Sequence, residues 1–319
     1  MSNPKVSVII VSYFVKDELR ECLTCLRTGG DTLEVFVVDN ASSDGTREML
    51  EQEFSGWNNL KVIFNNENVG LAQANNQPIA QVMGKYILIL NPDTRMSPKA
   101  IAEMALYLDN HPDVGVIGPK QVFEDGSPHT SFHRNWGWIH IALWTAVPYR
   151  LVRLFYDRLS SYTQQDVFFV SGACLLIRRE LFIRLGGYDE NFFFAVEDAA
   201  DLCLRVRRLR YRVVFYPSVE MVHLGARSVK DPSVKPFSFF KTMQGHLYYQ
   251  RKYGGFVGFW SLYFLTLQIS LVKLAVYGLA SLMHIGHFKS RLMVHWFAIR
   301  ELLSEPIPKF KMRAPAIRG

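Results

Sequence analysis

The first 93 residues alternate between short apolar runs and segments with helical periodicity, and this alternation limits the possible folds more than any other feature. Continuous apolar runs rich in β-branched residues are typical of strands buried on both faces of a parallel sheet. The apolar runs occupy 6–13, 33–42, 60–65 and 86–93, and the helical segments occupy 17–26, 44–54 and 70–83. The pattern predicts an α/β fold built on a doubly wound, mostly parallel sheet.

Polar residues stand at the carboxyl ends of the predicted strands. Ser12, Asp39 and Asn40 end the first two runs, and Asn91 and Asp93 end the fourth. Ligands of doubly wound sheets bind beyond this edge, so these side chains are candidates for a binding site. A Rossmann dinucleotide site is disfavoured, because the first strand is not followed by G-x-G-x-x-G, and the sequence has no G-x-x-x-x-G-K-[ST] phosphate loop.

Composition narrows the class of protein and its partners. A chain of 319 residues with 49% hydrophobic residues can bury one large core and carry an appendage. The net charge of +7 suits an anionic partner, either a nucleotide diphosphate, a membrane surface or a nucleic acid. We expect no nucleic-acid partner, because zinc-finger spacings and RNA-binding motifs are absent from the sequence. Four scattered cysteines and an N-terminus without signal-peptide features predict a cytoplasmic catalytic part.

Three acids stand together in the segment FFFAVEDAADLCLRVRRL (192–209). Glu197, Asp198 and Asp201 fall where apolar residues begin to recur at helical spacing, so a helix is predicted to start near Glu197. Acids in a first turn stabilise a helix by roughly 0.3–1 kcal/mol each. The acids therefore suit a helix start as well as a catalytic site, and other segments must decide between the two.

Four segments, in a fixed order, carry a family resemblance. They are VVDNASSDGT (37–46), ENVGLAQANNQPI (67–79), YILILNPDT (86–94) and the stretch from GGYDE to VHLG (186–225). In this order they closely resemble the family 2 glycosyltransferases of GT-A fold, especially the bacterial rhamnosyltransferase-like branch. The resemblance covers about residues 5–228. Each segment alone is common, whereas the ordered set is specific.

The resemblance assigns a nucleotide-sugar donor to the strand ends. Asp39 matches the family acid that contacts the nucleoside, and Ser12 and Asn40 border the same pocket. Gly70 and Asn75, both in ENVGLAQANNQPI, are the further donor-binding candidates.

The resemblance also implies a divalent cation, Mg²⁺ or Mn²⁺, on the donor diphosphate. Asp93 matches the acid that the family retains from its D-x-D motif, while Asn91 and Thr94 stand where relatives often carry further acids. With one carboxylate in this loop, strict metal dependence is less strongly implied. His223 in VHLG matches a histidine that completes the metal or diphosphate site in some relatives.

Asp198 matches the second acid of the family's ED motif, which is the general base. An acceptor hydroxyl is a poor nucleophile near neutral pH, so a base within reach must take its proton as it attacks the anomeric carbon. A single displacement of this kind inverts that carbon. Glu197 and Asp201 are expected either to orient the acceptor or to cap the helix.

The implied function is an inverting glycosyltransferase of cell-envelope polysaccharide synthesis. Its leading donor is dTDP-L-rhamnose, with UDP-sugars second, and its acceptor is a hydroxyl of a glycan or of a polyprenyl-diphosphate-linked sugar. A nucleotidyltransferase is one alternative, but it should show a Gly-rich first loop with a basic residue after VSVIIVSY, and none is present. A catalytically silent nucleotide-binding membrane scaffold is the other, and the intact Asp93 and Asp198 argue against it.

The composition changes at Gly254, and residues 254–272 contain no charged side chain. About 20 such residues can cross a bilayer, and a helix lying in the membrane interface also fits. A helix buried against the catalytic domain or in a dimer is the remaining alternative. We expect a glycosyltransferase domain over 1–230 and a helical membrane-associating region over 231–319. The protein is then expected at the cytoplasmic face of the inner (plasma) membrane, as a peripheral or single-pass protein.

A second interfacial surface is predicted in the aromatic, amphipathic stretch near 136–160. It contains Trp136, Trp138 and Trp144, with Arg150 and Arg153 beyond them. Amphipathic aromatic segments flanked by basic residues are typical of membrane interfaces.

Overall fold

The computed structural model describes residues 5–147, 163–193, 196–225, 235–282 and 289–304. The strands are β1 (Val6–Ser12), β2 (Leu33–Asp39), β3 (Leu60–Phe64), β4 (Tyr86–Leu90), β5 (Thr94–Arg95), β6 (Val114–Val122), β7 (Pro128–His129), β8 (Phe132–His133), β9 (Gln165–Asp166), β10 (Phe169–Val170), β11 (Cys174–Arg178) and β12 (Arg212–His223). The helices are α1 (Lys16–Arg27), α2 (Thr46–Glu53), α3 (Leu71–Asn76), α4 (Pro98–Asn110), α5 (Trp138–Ala146), α6 (Arg179–Arg184), α7 (Glu197–Arg208), α8 (Lys235–Tyr253), α9 (Gly255–Leu282) and α10 (Lys289–Ser304).

The main sheet is mixed and mostly parallel, in the order β3-β2-β1-β4-β11-β6-β12-β5. The neighbours β3, β2, β1 and β4 run parallel, as do β6 and β12. Strand β11 lies antiparallel between β4 and β6, and the two-residue β5 is antiparallel to β12. The predicted α/β fold with a doubly wound, mostly parallel sheet is confirmed, and the antiparallel β11 and β5 depart from a purely parallel sheet.

Strands β1, β2 and β4 are buried on both faces, as their apolar runs predict, whereas the edge strand β3 is half-buried. Every residue of β1 is buried, and its side chains alternate between two hydrophobic clusters. Val8 and Ile10 pack with Leu19 and Leu23 of α1, whereas Ile9 belongs to the cluster on the opposite face. This alternation is the period-2 geometry of a strand, and it places one helical layer on each side of the sheet.

The helix predicted over 70–83 is shorter than expected. The α-helical part ends at Asn76, and Gln77–Ala80 forms a 3₁₀ turn that contains Pro78. Proline has no N–H to donate and disfavours the α conformation in the residue before it, so an α-helix cannot continue through this position without disruption.

The C-terminal helices share a core with the α/β part. Phe240 and Leu247 of α8 and Phe259 of α9 belong to the same buried cluster as Leu202 of α7 and Phe215 of β12. The division expected at residue 230 falls among residues 226–234, which lie outside the described residues. Because the α/β part and the C-terminal helices share one hydrophobic core, they pack as one unit.

Helix α9 is long and apolar enough to cross a membrane by length and composition, over Gly255–Ser281. Only 22% of its most apolar window is buried in the structure. A core helix of a soluble protein would be mostly buried. Burial against the catalytic domain, which was one alternative from the sequence, therefore accounts for only one side of α9, and the other side is exposed.

The aromatic stretch near 136–160 needs a correction. Trp136 is 2% exposed and packs inside the core, so it does not belong to a surface. Trp138 and Ile139 of α5 are exposed. Arg150 and Arg153 lie outside the described residues.

Candidate active site

The carboxyl ends of β1 and β2 bring Ser12 and Asp39 together, because these residues are paired in the strand register. Both are buried. The Ser12 Oγ and the Asp39 Oδ1 have no hydrogen-bond partner within the described part of the chain, while the Asp39 Oδ2 accepts from the Ser42 N–H at 3.1 Å. Burial raises the pKa of Asp39. Buried polar atoms normally find partners, so these two oxygens indicate a place for a ligand.

The loops that follow these strands carry backbone strain. Phe14 has φ 55° and Ala41 has φ 67°, which is the left-handed region that non-glycine residues rarely adopt. The Phe14 N–H donates to Ser42 Oγ at 3.0 Å and joins the two loops. Such strain clusters at functional sites, and no feature of the sequence pattern predicted it.

Asn40 is fully engaged inside the protein. Its Oδ1 accepts from the Asn65 amide at 2.9 Å and from the Val69 N–H at 3.2 Å, and its Nδ2 donates to Asn68 at 3.0 Å. The Asn40 side chain therefore holds the loop before Gly70 in place, and its position beside the ligand pocket stays a prediction.

Gly70 and Asn75 differ in what they offer to a donor. Gly70 has φ +88°, and a Cβ at this position would lie 2.8 Å from Phe193 Cδ2, so the position accepts only glycine without a shift. The Asn75 Nδ2 donates to the Leu71 carbonyl at 3.0 Å, while its buried Oδ1 has no partner among the described residues. Gly70 shapes the loop, and Asn75 keeps one free acceptor.

Asp93 and His223 meet at the ends of β4 and β12. The His223 Nε2 lies 3.4 Å from the Asp93 Oδ1, and both residues are buried. The His223 Nδ1 lies 3.1 Å from the Gln121 Oε1, a contact that orients the imidazole ring and leaves Nε2 on the side of Asp93. Sequence patterns gave no sign of the role of Gln121.

The Asp93 and His223 pair fits a divalent cation in part. Carboxylate oxygen and neutral imidazole nitrogen are both accepted ligands of Mn²⁺, and oxygen is preferred by Mg²⁺. Within the described ranges no group of three or more His, Cys, Asp or Glu side chains could hold a metal. Among the described residues, Asp93 and His223 are therefore two candidate ligands, and phosphate oxygens and water would add others.

Asp198 lies in the first turn of α7, and its side chain is almost fully buried. Its Oδ1 accepts the Ala199 N–H at 2.6 Å. Burial raises the pKa of Asp198 to about 8, and the neighbouring charges of Glu197 and Asp201 act in the same direction. A carboxyl group with a pKa near the working pH is suited to proton transfer.

Gly172 links the base to the strand ends. A Cβ at Gly172 would lie 3.8 Å from the Asp198 Oδ1, which is an ordinary van der Waals distance, so Gly172 borders the carboxylate. The next residue, Ala173, accepts the Asn91 N–H at 2.9 Å, two positions before Asp93. The loop SGA (171–173), which sequence analysis passed over, thus joins both halves of the site.

Asp201 does not face an acceptor. Its side chain has no exposed surface, and its oxygens contact the Arg205 Nε at 2.7 Å, the Lys252 Nζ at 2.5 Å and the Tyr253 hydroxyl at 2.6 Å. The predicted acceptor contact is corrected to an anchoring role between α7 and α8.

Glu197 is equally buried. The His246 Nε2 lies 3.0 Å from its Oε1, at ion-pair distance but without hydrogen-bond geometry. No carboxylate oxygen of Glu197 reaches the surface, so the acceptor contact expected from the sequence does not fit this position either.

The sequence matches proteins that transfer sugars. Residues 7–186 match the family described as glycosyl transferase family 2. The N-acetylglucosaminyl-diphospho-decaprenol L-rhamnosyltransferase of Mycobacterium tuberculosis is 29% identical over 251 residues, which are 71% of this chain and 78% of the relative. The low-salt glycan biosynthesis hexosyltransferase Agl10 of Haloferax volcanii is 24% identical over 224 residues, 68% of this chain and 66% of the relative.

Solved structures share the fold. A mannosyltransferase from Pyrobaculum calidifontis, in complex with GDP-Man and Mn²⁺, has a TM-score of 0.58 at 18% identity and covers 97% of this chain and 89% of that chain. GalNAc-T7 with UDP, GalNAc and Mn²⁺ has a TM-score of 0.54 at 17% identity, over 69% of this chain and 43% of that chain. At this identity the likeness shows the fold alone.

Proposed function

Because the chain belongs to glycosyl transferase family 2 and is a glycosyltransferase, we propose that it moves L-rhamnose from dTDP-L-rhamnose to a hydroxyl of a polyprenyl-diphosphate-linked sugar. The relative from Mycobacterium tuberculosis, whose name states this donor sugar and a decaprenol-linked acceptor, supports the choice. UDP-sugars are the second class of donor. The product would enter the synthesis of a cell-envelope polysaccharide.

The observation that carries the proposal is the environment of Asp198. It is a buried carboxylate with its pKa raised to about 8, in the first turn of α7 and bordered by Gly172. The same edge of the sheet presents Asp39 with a buried unpartnered oxygen, and Asp93 with His223. A base, a nucleoside contact and a diphosphate contact are the groups that an inverting sugar transfer requires.

The donor would bind along the strand ends. Asp39 and Ser12 would take up the nucleoside through their free oxygens, and the buried Asn75 Oδ1 would accept a further hydrogen bond. Asp93 and His223 would hold Mg²⁺ or Mn²⁺, and this cation would supply positive charge for the diphosphate that leaves. Burial of these side chains keeps competing water away from them.

The acceptor would react on the other side of the anomeric carbon. Deprotonated Asp198 takes the proton of the acceptor hydroxyl while the hydroxyl oxygen forms its bond to that carbon. The bond from the carbon to the diphosphate oxygen breaks with its electron pair, and the nucleoside diphosphate departs. Attack and departure on opposite faces invert the configuration.

An exposed apolar face gives the acceptor lipid a place to lie. The face runs along α9, continues on α10 and includes α5, which packs against α9. Its large exposed side chains are Val257, Phe264, Leu271, Val276, Leu279, Met293, Trp296, Leu303, Ile139 and Leu143. We propose that this apolar face enters the cytoplasmic leaflet of the inner (plasma) membrane, with Arg251 and Arg300 exposed beside it toward anionic headgroups.

A donor panel tests the proposal. Full-length protein is incubated with dTDP-L-rhamnose, UDP-sugars and GDP-mannose, and both thermal protection and transfer to a polyprenyl-diphosphate-linked N-acetylglucosamine are measured. We expect protection and transfer with dTDP-L-rhamnose. Protection without transfer would favour the scaffold alternative, and release of pyrophosphate from a nucleoside triphosphate and a sugar phosphate would favour a nucleotidyltransferase.

A further inference from the structure

Helix α8, which follows the α/β part, reaches the start of the catalytic helix α7 through His246. The His246 Nε2 lies 3.0 Å from the Glu197 Oε1. Glu197 has no exposed surface and directly precedes Asp198. The imidazole therefore stands one residue away from the proposed general base.

A carboxylate in this position needs a partner. Taking an ionised carboxylate out of water costs several kcal/mol unless a nearby opposite charge or donor offsets it. Both carboxylate oxygens of Glu197 are buried and have no hydrogen-bond partner within the described residues, and the His246 Nε2 lies at ion-pair distance from Oε1. The contact with His246 is the compensation that the structure gives to this side chain.

Asp198 itself is held only lightly. Its Oδ1 accepts the N–H of its neighbour Ala199 at 2.6 Å, and within the described part of the chain no side chain of another element is hydrogen-bonded to it. The acids on either side are tied to α8, Glu197 by His246 and Asp201 by Lys252. The orientation of the Asp198 carboxylate therefore depends on how α8 holds the flanking acids.

We propose that His246 is a positioning residue for glycosyl transfer: it holds Glu197 and so fixes the first turn of α7 that presents Asp198. The inference rests on the proposed function, in which Asp198 takes the acceptor proton. His246 does not touch the reacting atoms. It acts through Glu197, and it comes from outside the 186–225 stretch that carries the ED motif.

Two substitutions of His246 separate positioning from packing. His246→Phe keeps a ring and removes the ring nitrogen that contacts Glu197, whereas His246→Gln places a polar amide near the position of Nε2. The matched control is His295→Gln, because His295 is also buried in the C-terminal helices but packs on Phe239 and Tyr277. The kcat and the donor KM are measured for transfer from dTDP-L-rhamnose to the lipid-linked acceptor.

We expect His246→Phe to lower kcat about tenfold with an unchanged donor KM, because a buried carboxylate loses its partner. His246→Gln and His295→Gln should stay within about twofold of the parent. In a Glu197→Gln background, His246→Phe should have no further effect beyond about twofold, because the two residues then no longer interact. Equal losses in the Phe and Gln variants, or a loss that appears in KM alone, would overturn the inference.

A second measurement tests the contact between His246 and Glu197 without substrate. It keeps the inference testable if the His246→Phe variant does not fold. The imidazole ¹⁵N resonances of His246 and His295 are compared in the parent and in Glu197→Gln. Movement of the His246 resonances alone supports the inference, and no movement overturns it. If the His246 resonances move but the protein transfers sugar from none of the nucleotide sugars, the proposed function is wrong. The catalytic part of the inference is then wrong as well, and only the contact between His246 and Glu197 is supported.

Discussion

The His223 Nε2 lies 3.4 Å from the Asp93 Oδ1, although His223 ends β12 and Asp93 lies in the loop after β4. The two-residue strand β5 makes this approach possible, because it pairs Thr94 with His223 in register. The Asp93 carbonyl also accepts the Leu224 N–H at 2.9 Å. Backbone pairing thus brings the two side chains together before any ligand binds, which is the preorganisation that charge stabilisation requires.

Removal of the proposed base should abolish transfer and spare donor binding. Asp198→Asn is expected to lower kcat by at least about 100-fold, because no base then takes the proton of the acceptor hydroxyl. The dTDP-L-rhamnose concentration that gives half-maximal thermal protection should stay within about twofold of the parent value. Glu51→Gln, an exposed acid of α2, is the control. An Asn variant with more than about a tenth of the parent kcat would exclude Asp198 as the base.

Chelation tests the cation. Parent protein titrated with EDTA is expected to lose transfer and to regain it with Mn²⁺ or Mg²⁺. Asp93→Ala and His223→Ala should each raise the cation concentration needed for half-maximal activity about tenfold or more, because each removes one of two protein ligands. Activity that persists in EDTA would leave Asp93 a donor-orienting role and place charge neutralisation on basic side chains.

The pH profile of kcat should respond to the neighbour of the base. Asp198 works deprotonated, so kcat rises with pH through the pKa of Asp198, which is about 8. The charge of Glu197 raises that pKa, and Glu197→Gln should therefore move the acid limb of the profile to lower pH. Measurement of kcat from pH 5.5 to 9.5 checks the direction. A limb that stays in place or moves to higher pH contradicts the electrostatic link.

The same raised pKa makes a prediction about stability. Folded Asp198 holds its proton up to about pH 8, whereas an unfolded Asp releases it near pH 4, so the folded state loses stability as pH rises between these values. Asn has no proton to release. The thermal midpoint of Asp198→Asn minus that of the parent should therefore be larger at pH 8.5 than at pH 5, by at least about 2 °C. A difference that does not change with pH would mean that the carboxyl is not buried as described.

Charge on the apolar face should weaken membrane binding. Phe264→Glu combined with Leu271→Glu is expected to reduce co-sedimentation with anionic vesicles about tenfold or more. Leu106→Glu on α4, where the parent leucine is 54% exposed, is the control for added charge. Parent protein that stays in the supernatant with vesicles refutes the membrane proposal.

Truncation after Tyr253 would not test membrane binding alone, because α9 and α10 share the core with the catalytic part and their removal would also disturb that core.

Local sequence patterns were enough to predict where the strands end. Contacts between residues far apart in the sequence could not be predicted from such patterns. Asp39 and Asp93 follow apolar runs whose strand character is local, so their position at the ligand edge was predictable. The partners of Asn40 and Asp201 come from other loops and from α8, and these contacts turn both side chains inward. The antiparallel direction of β11 could not be predicted either, because a buried strand has the same apolar run whether its neighbours are parallel or antiparallel.

The shared core of α7 and α8 also sets an order of events during synthesis. Residues 235–304 leave the ribosome after the whole α/β part, yet Phe240 and Leu247 fill the same cluster as Leu202 of the catalytic helix. A nascent chain that ends before α8 exposes that cluster and lacks the ties of Lys252 and His246 to the acids of α7. The catalytic centre is therefore completed only after α8 has emerged, later than every strand of the sheet that carries its other residues.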